Sequence, residues 1–445
     1  MTLSLVIITD NRCLLLATMG HWVFLTLEDP RAKIQGSRDP LGVQPVWSGF
    51  GRHLVTNLTT VSNSVRGFTV LLLGRYFGER LVAEGLAEEH DALPIFLRTE
   101  QLCAYARLVI NEADDTRGIE RVRKFLNEGC SIRIEDGPDG WILGDQKTYG
   151  LWGLFSVPAR VSGLVVDGPV GLSDAAREFV KNQYMPHLKP VLDRLIRLVR
   201  SGGTVDASKR NPVMAALAKA MPLVLAPNEV LFYGKHLRDA AQATGQDRTH
   251  RQQTLASLLA SQTDLLEWVG RKDIIALAEA SESIDEILSQ NLRRVARLEA
   301  LLAPADLVFD LLLTRHGQTP STVASTLRDR WGSQVPHLDT PFDDLLAETA
   351  ELTTGELAQH ALVVDSAFHT GDYESAIVTL LDWNREVMAR RNAAPWVQLA
   401  HGMLDVRYRG TESELPTGDE LVWAWRNSYF LNSLKDVARQ IEEAN

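Results

Sequence analysis

A histidine beside an arginine at the end of an apolar run could carry out phosphoryl transfer. The run LLLTRHGQT places Arg315 and His316 after residues 311–313, and His369 follows a second apolar run further along the chain. In this chemistry the arginine binds the phosphoryl group and His316 attacks it in line. The interpretation requires residues 311–313 to form a buried strand.

A helical interpretation of the same stretch is favoured. Apolar residues from Leu307 to Leu312 share one helical face, and Gly317 stands where a helix ends. Residues 318–330 begin with the cap and first-turn types of a new helix. We therefore predict a helix, a glycine and a second helix over 304–330, and keep a histidine phosphatase-like enzyme as a less favoured alternative.

A second stretch could hold a divalent metal. Asp139 is followed by Asp145-Gln-Lys147. Some nucleases bind a metal ion and polarise water with one acidic residue and a second acidic residue that stands two positions before a lysine. Only six residues separate the two acids, which is cramped for such a site. We predict a surface hairpin in which residues 131–135 pair with residues 141–145, and keep the nuclease as an alternative.

The composition and the motifs of the chain limit which ligands and reactions we expect. The chain has 445 residues and a formal net charge of −11, so it has no global basic footprint for nucleic acid. The widely spaced Cys13, Cys103 and Cys130 suit a reducing cytoplasm. The chain lacks the Walker loop, GxGxxG, HExxH and GxSxG motifs. We expect a cytoplasmic protein without a cofactor.

The first residues are apolar, but they do not resemble a signal peptide or a membrane span. Asp10 and Asn11 interrupt the run, and no apolar run approaches the roughly 18 residues that a span needs. Residues 3–29 instead predict short strands, with a turn at Asp10–Asn11. We expect residues 39–54 to be irregular and the next segment to be a helix.

The central part of the chain predicts a winged-helix-like domain. Helices are expected over 94–114 and 118–129, followed by the hairpin and a helical run from residue 146. A Gly-Leu strand, a turn and a helix capped by Ser173 would then form the wing. Residues 201–212, rich in Gly, Ser and basic residues, predict a linker.

A winged helix often binds DNA, and five residues could contact phosphates or a partner. The local charge opposes DNA, because residues 98–165 contain nine Lys or Arg and ten Asp or Glu. The helix expected to enter a groove is mostly apolar, whereas DNA readers use polar and basic side chains there. We favour protein binding. The five residues are Arg121, Lys124, Lys147, Tyr149 and Arg160.

The C-terminal region predicts a partner-binding anchor. Trp, Tyr and Arg dominate interfaces, and Arg407 and Arg409 alternate with Tyr408 on a stretch predicted to be extended. Five large residues follow at what we predict to be the start of one helix. They are Trp423, Trp425, Arg426, Tyr429 and Phe430. Partner binding and packing onto the rest of the protein are equally favoured for the arginines, whereas the tryptophans are expected to pack into the core.

These patterns predict an α+β, mainly α, chain with three parts. Residues 1–94 form a small β-rich unit with a following helix, 95–200 the winged-helix-like domain, and 201–445 a helical domain.

The order SVRGFTVLLLGRYF, FLRTEQLCAYAR and ILGDQKTYGLWGLFSVPARVSGLV resembles uncharacterised winged-helix proteins of bacterial anti-phage defence islands. The resemblance covers roughly residues 40–180. It implies a non-enzymatic accessory or sensor subunit that binds other proteins of its operon, with no membrane contact. A DNA-binding regulator is the main alternative.

Overall fold

The structure is a computed structural model. It describes residues 8–9, 12–13, 39–168, 170–241, 246–261, 269–333, 335, 345, 356–411 and 414–444.

Helices dominate the described residues, as predicted. In the first half of the chain they are α1 (Gln44–Arg52), α2 (Val65–Ala83), α3 (Ala92–Asn111), α4 (Ile119–Glu128), α5 (Gln146–Tyr149), α6 (Leu151–Val161), α7 (Asp174–Gln183), α8 (Met185–Leu188), α9 (Leu192–Ser201) and α10 (Pro212–Ala220). In the second half they are α11 (Pro227–Tyr233), α12 (Gln246–Ser261), α13 (Arg271–Ser281), α14 (Glu286–Leu312), α15 (Pro320–Trp331), α16 (Glu356–Thr370), α17 (Tyr373–Arg390), α18 (Gly418–Leu421) and α19 (Leu431–Glu442).

The strands form short antiparallel pairs. They are β1 (Ile8–Thr9), β2 (Arg12–Cys13), β3 (Ser131–Ile134), β4 (Gly203–Asp206), β5 (Val397–Ala400) and β6 (Met403–Val406). β1 pairs with β2 on either side of Asp10–Asn11, where a turn was predicted. The strand predicted near residues 21–29 lies outside the described residues.

The predicted irregular connection over 39–54 contains helix α1, which the sequence interpretation missed. Pro45 stands in the first turn of α1, where a proline is favourable because its fixed φ suits a helix and its missing N–H has no partner to lose. Val46, Trp47 and Phe50 are buried, so the proline and glycines of this segment start a helix and allow it to pack.

The predicted hairpin of residues 131–135 with 141–145 is wrong. β3 pairs instead with β4, and Ile132 lies opposite Val205. The side chain of Gln101 bonds the backbone N–H and C=O of Glu135 at 3.1 and 2.7 Å. The side-chain amide of Gln101 thus supplies the hydrogen bonds that the backbone needs as it leaves β3, so no adjacent strand is required there.

The linker predicted over 201–212 therefore contains β4. Asn111, at the end of α3, donates from Nδ2 to the carbonyls of Ala218 and Met221 at 3.2 and 2.8 Å. Buried apolar side chains form one continuous cluster from α1 to α19 among the described residues. Contacts thus cross the predicted boundary at residue 200, and the three-part division stays a prediction.

Candidate partner-binding surface

Helix α6, the helix expected to enter a groove in a winged helix, is held against α2 and α3 by its inner face. Phe155 is buried beside Phe68, with ring centroids 4.9 Å apart. A Cβ atom added at Gly67 would lie 2.7 Å from the Phe155 ring, so the two helices approach closely because Gly67 has no side chain.

The start of α6 is bonded to a buried carboxylate on α3. Oε1 of Glu100 accepts from the N–H of Leu151 at 2.8 Å, and Oε2 accepts from Nε2 of Gln146 at 2.8 Å. Burial raises the pKa of Glu100 to about 7, and these hydrogen bonds and nearby Arg117 oppose that shift. The carboxylate satisfies a first-turn N–H that would otherwise lack an acceptor.

Arg75 of α2 contacts the first turn and the middle of α6, and also the turn that follows the helix. Its guanidinium donates to Oγ of Ser156 at 3.0 Å and to the carbonyl of Gly168 at 3.1 Å, and lies 4.0 Å from the Trp152 ring. Burial, then Arg160, lowers the pKa of Arg75 to about 10. The turn is closed by an antiparallel bridge between Val165 and Leu172, and Ser173 caps α7 as predicted.

The outer face of α6 is apolar and exposed. Val157 and Val161, one helical turn apart, are 55 % and 39 % exposed, and Val166 in the turn is 50 % exposed. Arg160 lies between them and pairs with Asp167 at 3.0 Å. We call these five residues the α6 surface; neighbouring exposed apolar side chains of this kind are typical of interaction sites.

The other residues predicted for the central domain do not form one basic face. Arg121 donates to the carbonyls of Leu143 and Pro138 at 3.1 and 2.9 Å, so its guanidinium supports the loop between β3 and α5. Lys124 is exposed on α4. Lys147 and Tyr149 are exposed on α5, next to the start of α6.

The structure does not gather the residues of the nuclease alternative. Asp145 uses Oδ1 to accept the N–H of Thr148 at 2.9 Å, and it lines a cavity with Lys147. Asp139 lines a different cavity. Among the described residues, no group of three or more His, Cys, Asp or Glu side chains could hold a metal ion.

His316 lies in a turn between two helices, which confirms the prediction of helix, glycine and helix. The helix ends earlier than expected, with Leu313 as its C-cap, and Gly317 lies in the turn with φ +77°. Nδ1 of His316 accepts the N–H of Val406 at 3.0 Å. His369 instead contacts the Val335 carbonyl at 3.0 Å.

The prediction that the C-terminal aromatic residues stand at the start of one helix is wrong. α18 ends at Leu421 and α19 starts at Leu431, so the aromatic residues lie in the connection between them. Tyr429 and Phe430 have φ of 45° and 64°, which a helix does not allow. Both are buried, and their rings lie 6.0 and 5.4 Å from that of Trp47 on α1.

A buried carboxylate on α14 explains this path. Glu299 accepts from the backbone N–H groups of Arg426 and Asn427, from Nδ2 of Asn427 at 3.1 Å and from the hydroxyl of Tyr429 at 2.7 Å. Burial raises the pKa of Glu299 against these hydrogen bonds. The connection wraps around one side chain that the sequence interpretation did not single out.

Only some of the residues predicted to form the C-terminal anchor are free to bind a partner. Arg426 pairs with Asp310 of α14, and Trp425 is half-buried with its ring 5.2 Å from that of Tyr429. Arg407 and Arg409 are exposed after β6. Arg407 lies 3.7 Å from Asp405.

The sequence interpretation did not identify the exposed valines of α6, although the sequence contains a pattern that indicates them. Residues 151–165 are apolar on every helical face, whereas α2 and α3 cover only one face of α6. An apolar residue on the opposite face must then stay exposed or meet another molecule.

Comparisons with known proteins give no family for this chain. No family model, no curated protein and no solved structure matches it. Among the described residues, no helix is both long enough and apolar enough to cross a membrane.

Proposed function

We propose that this protein is a non-enzymatic accessory or sensor subunit that acts through protein–protein contacts, with the α6 surface as its partner-binding site. The observation that carries the proposal is the pair of exposed valines, Val157 and Val161, on a helix whose inner face and first turn are fixed. A preformed surface loses little conformational entropy on binding.

The charge on this helix supports a protein partner over DNA. Arg160 is the single basic residue of α6, and its pairing with Asp167 offsets the charge that a phosphate would need. Arg121 is committed to backbone carbonyls. Of the five residues predicted to contact phosphates, Lys124 and Lys147 remain as exposed cations without an ion pair to an acidic residue in the described part of the chain, which is few for a groove-binding module.

The nature of the partner follows from the resemblance to winged-helix proteins of bacterial anti-phage defence islands. On that basis the partners are products of the same operon, which this subunit would hold or regulate in the cytoplasm.

The experiment is capture of each co-expressed neighbouring gene product by the tagged protein and by its Val157→Asp, Val161→Asp variant. A carboxylate at each position would be desolvated in an apolar interface, so we expect affinity to fall by about 100-fold, equal to about 2.7 kcal/mol. Both valines are exposed, so circular dichroism and melting temperature should not change.

The matched control is Val363→Asp, Val378→Asp, which alters two valines of similar exposure, 46 % and 39 %, on α16 and α17. It should bind as wild type. Equal capture by the α6 variant would contradict the proposed site. Tight duplex-DNA binding at physiological salt, abolished by Lys147→Ala with Arg160→Ala, would instead favour the DNA-binding regulator.

A further inference from the structure

A cavity of about 550 Å³ lies between α1, α14 and the connection that precedes α19. Its volume is within the range of roughly 300–1,000 Å³ that small-molecule sites have. One face of α1 lines the cavity, since Trp47 follows Val43 and Arg52 follows Ser48 at a spacing of four residues. Buried Phe430 adds a second aromatic ring to the wall. We call it the α1 cavity.

One carboxyl group of the α1 cavity has no partner in the protein as described. Asp306 of α14 lines the cavity, and no described residue forms a hydrogen bond or an ion pair with it. Burial and nearby Glu299 raise the pKa of Asp306 well above its ordinary value, and Arg426 opposes the shift. Asp310 and Asp39 add to it. A positive charge beside Asp306 would reverse the shift, because it stabilises the carboxylate.

The other two carboxyl groups among the described lining residues already have cationic partners. Asp310 pairs with Arg426, and Asp39 pairs with Arg391 at 3.2 Å. Asp306 is therefore the acidic group that a positively charged group of a bound molecule would contact.

Arg52, the last residue of α1, presents the opposite charge to the same cavity. Its Nη1 donates to the carbonyls of Val55 and Leu58 at 3.1 and 2.7 Å, and its guanidinium lies 3.8 Å from the centre of the Phe430 ring. Burial lowers the pKa of Arg52, and no described carboxylate opposes that shift. Nε and Nη2 have no acceptor among the described residues, and such a pair of N–H groups can bind a carboxylate through both of its oxygens.

Asp306 and Arg52 lie toward different ends of α1. Asp39, which contributes to the pKa shift of Asp306, accepts the N–H of Val43 at the start of α1 at 2.8 Å. Arg52 stands at the end of that helix, so the two groups are on the order of 10 Å apart at a rise of about 1.5 Å per residue. An extended tripeptide has about this length, because one residue spans about 3.3–3.6 Å.

We propose that the α1 cavity binds a short linear zwitterion of the length of a tripeptide, with its ammonium group at Asp306 and its carboxylate at Arg52. The indole N–H of buried Trp47, which has no acceptor in the described part of the chain, donates to a carbonyl oxygen between the two ends. A molecule with only one of the two charges would leave either Asp306 or Arg52 without its partner, which is unfavourable for a desolvated group.

The test is isothermal titration calorimetry of the full-length protein with trialanine. Trialanine should bind, whereas N-acetyl-trialanine and trialanine amide, each of which lacks one terminal charge, should bind at least about tenfold more weakly. ω-Aminooctanoate has both charges at a similar separation but no peptide groups. If it binds as tightly, the two charges alone select the ligand; if it binds more weakly than trialanine, peptide groups contribute as well. Absence of binding by both zwitterions, or equal binding of the capped peptides, would overturn the proposal.

Variants connect each terminal charge to one side chain. Asp306→Asn should weaken trialanine binding at least about tenfold but leave N-acetyl-trialanine unaffected, because acetylation already removes the ammonium group that Asp306 contacts. Arg52→Gln should in the same way weaken trialanine but not trialanine amide. Because Arg52 also holds two backbone carbonyls, the melting temperature of this variant is measured, and the amide tests the same contact in the wild-type protein.

The matched control is Asp329→Asn, which makes the same change at an exposed position on α15 outside the cavity. It should bind trialanine as wild type. Equal loss in this control, or no loss in Asp306→Asn, would show that the ammonium group is not bound at Asp306. The Val157→Asp, Val161→Asp variant should keep its trialanine affinity, so failure at one site leaves the other testable.

Discussion

Glu100 links the ionisation state of a buried side chain to the start of α6. Its carboxylate is buried and accepts the N–H of Leu151, the first residue of α6. The groups around it are Gln146 and Arg117, with Cys103 and Arg107 on its own helix. Its pKa is about 7, so the folded protein takes up a proton there within the physiological range.

We therefore predict that the protein becomes less stable as the pH rises from about 4.5 to about 7. Between these values folded Glu100 holds a proton that an unfolded chain releases, so unfolding is favoured by raising the pH. A shift of this size corresponds to about 3 kcal/mol in the free energy of unfolding. Urea unfolding midpoints at a series of pH values should show the trend, and Glu100→Gln should reduce it.

Glu128→Gln is the control for this measurement, since Glu128 is exposed on neighbouring α4. It should keep the pH dependence of the wild-type protein. If Glu100→Gln keeps that dependence as well, the titrating group lies elsewhere.

The packing of α6 on α2 depends on the absence of a side chain at Gly67. We predict that Gly67→Val destabilises the protein by about 1–3 kcal/mol, because overpacking forces the neighbouring ring to move. Phe155 is that neighbour. Because Phe155 shares α6 with Val157 and Val161, the variant should also bind its partner more weakly.

The comparison variant is Gly85→Ala, whose added Cβ has no atom within 4 Å although φ there is +69°. It carries only the cost of a left-handed backbone for alanine, so any loss should spare partner binding. A Gly67→Val protein with wild-type stability would show that α2 and α6 are not packed as described.

The periodic spacing of apolar residues predicted most of the long helices, but it did not predict which elements pack or pair with one another. The apolar spacing of α3 and the Gly129 stop of α4 follow from local rules. The pairing of β3 with β4 joins residues far apart in the chain, and no local pattern specifies which distant strand completes a ladder. The path of residues 422–430 depends on Glu299, which the sequence presents as one acid among many on a long helix.

Over the chain as a whole, the spacing of apolar residues and the positions of turn residues predicted the mainly helical α+β class, but they did not identify which distant segments pair. A Gly- and Ser-rich stretch such as 201–212 is typical of linkers, yet its residues 203–206 complete β3. Whether an apolar helical face is covered depends on the arrangement of all the helices. The apolar composition of residues 151–165 indicated that part of α6 could stay uncovered, but only the assembled structure shows that the exposed face is that of Val157 and Val161.

The most direct test of the account is photo-crosslinking from position 157 to a captured partner. A benzoyl-phenylalanine replacing Val157 should crosslink to a neighbouring gene product, whereas the same group at Val363 on α16 should not. Val157 is 55 % exposed and Val363 46 % exposed, so the two probes have similar access to other molecules. Crosslinking at 157 alone is the result we predict; an equal yield at both positions, or a partner captured without any crosslink at 157, would contradict the α6 surface as the binding site.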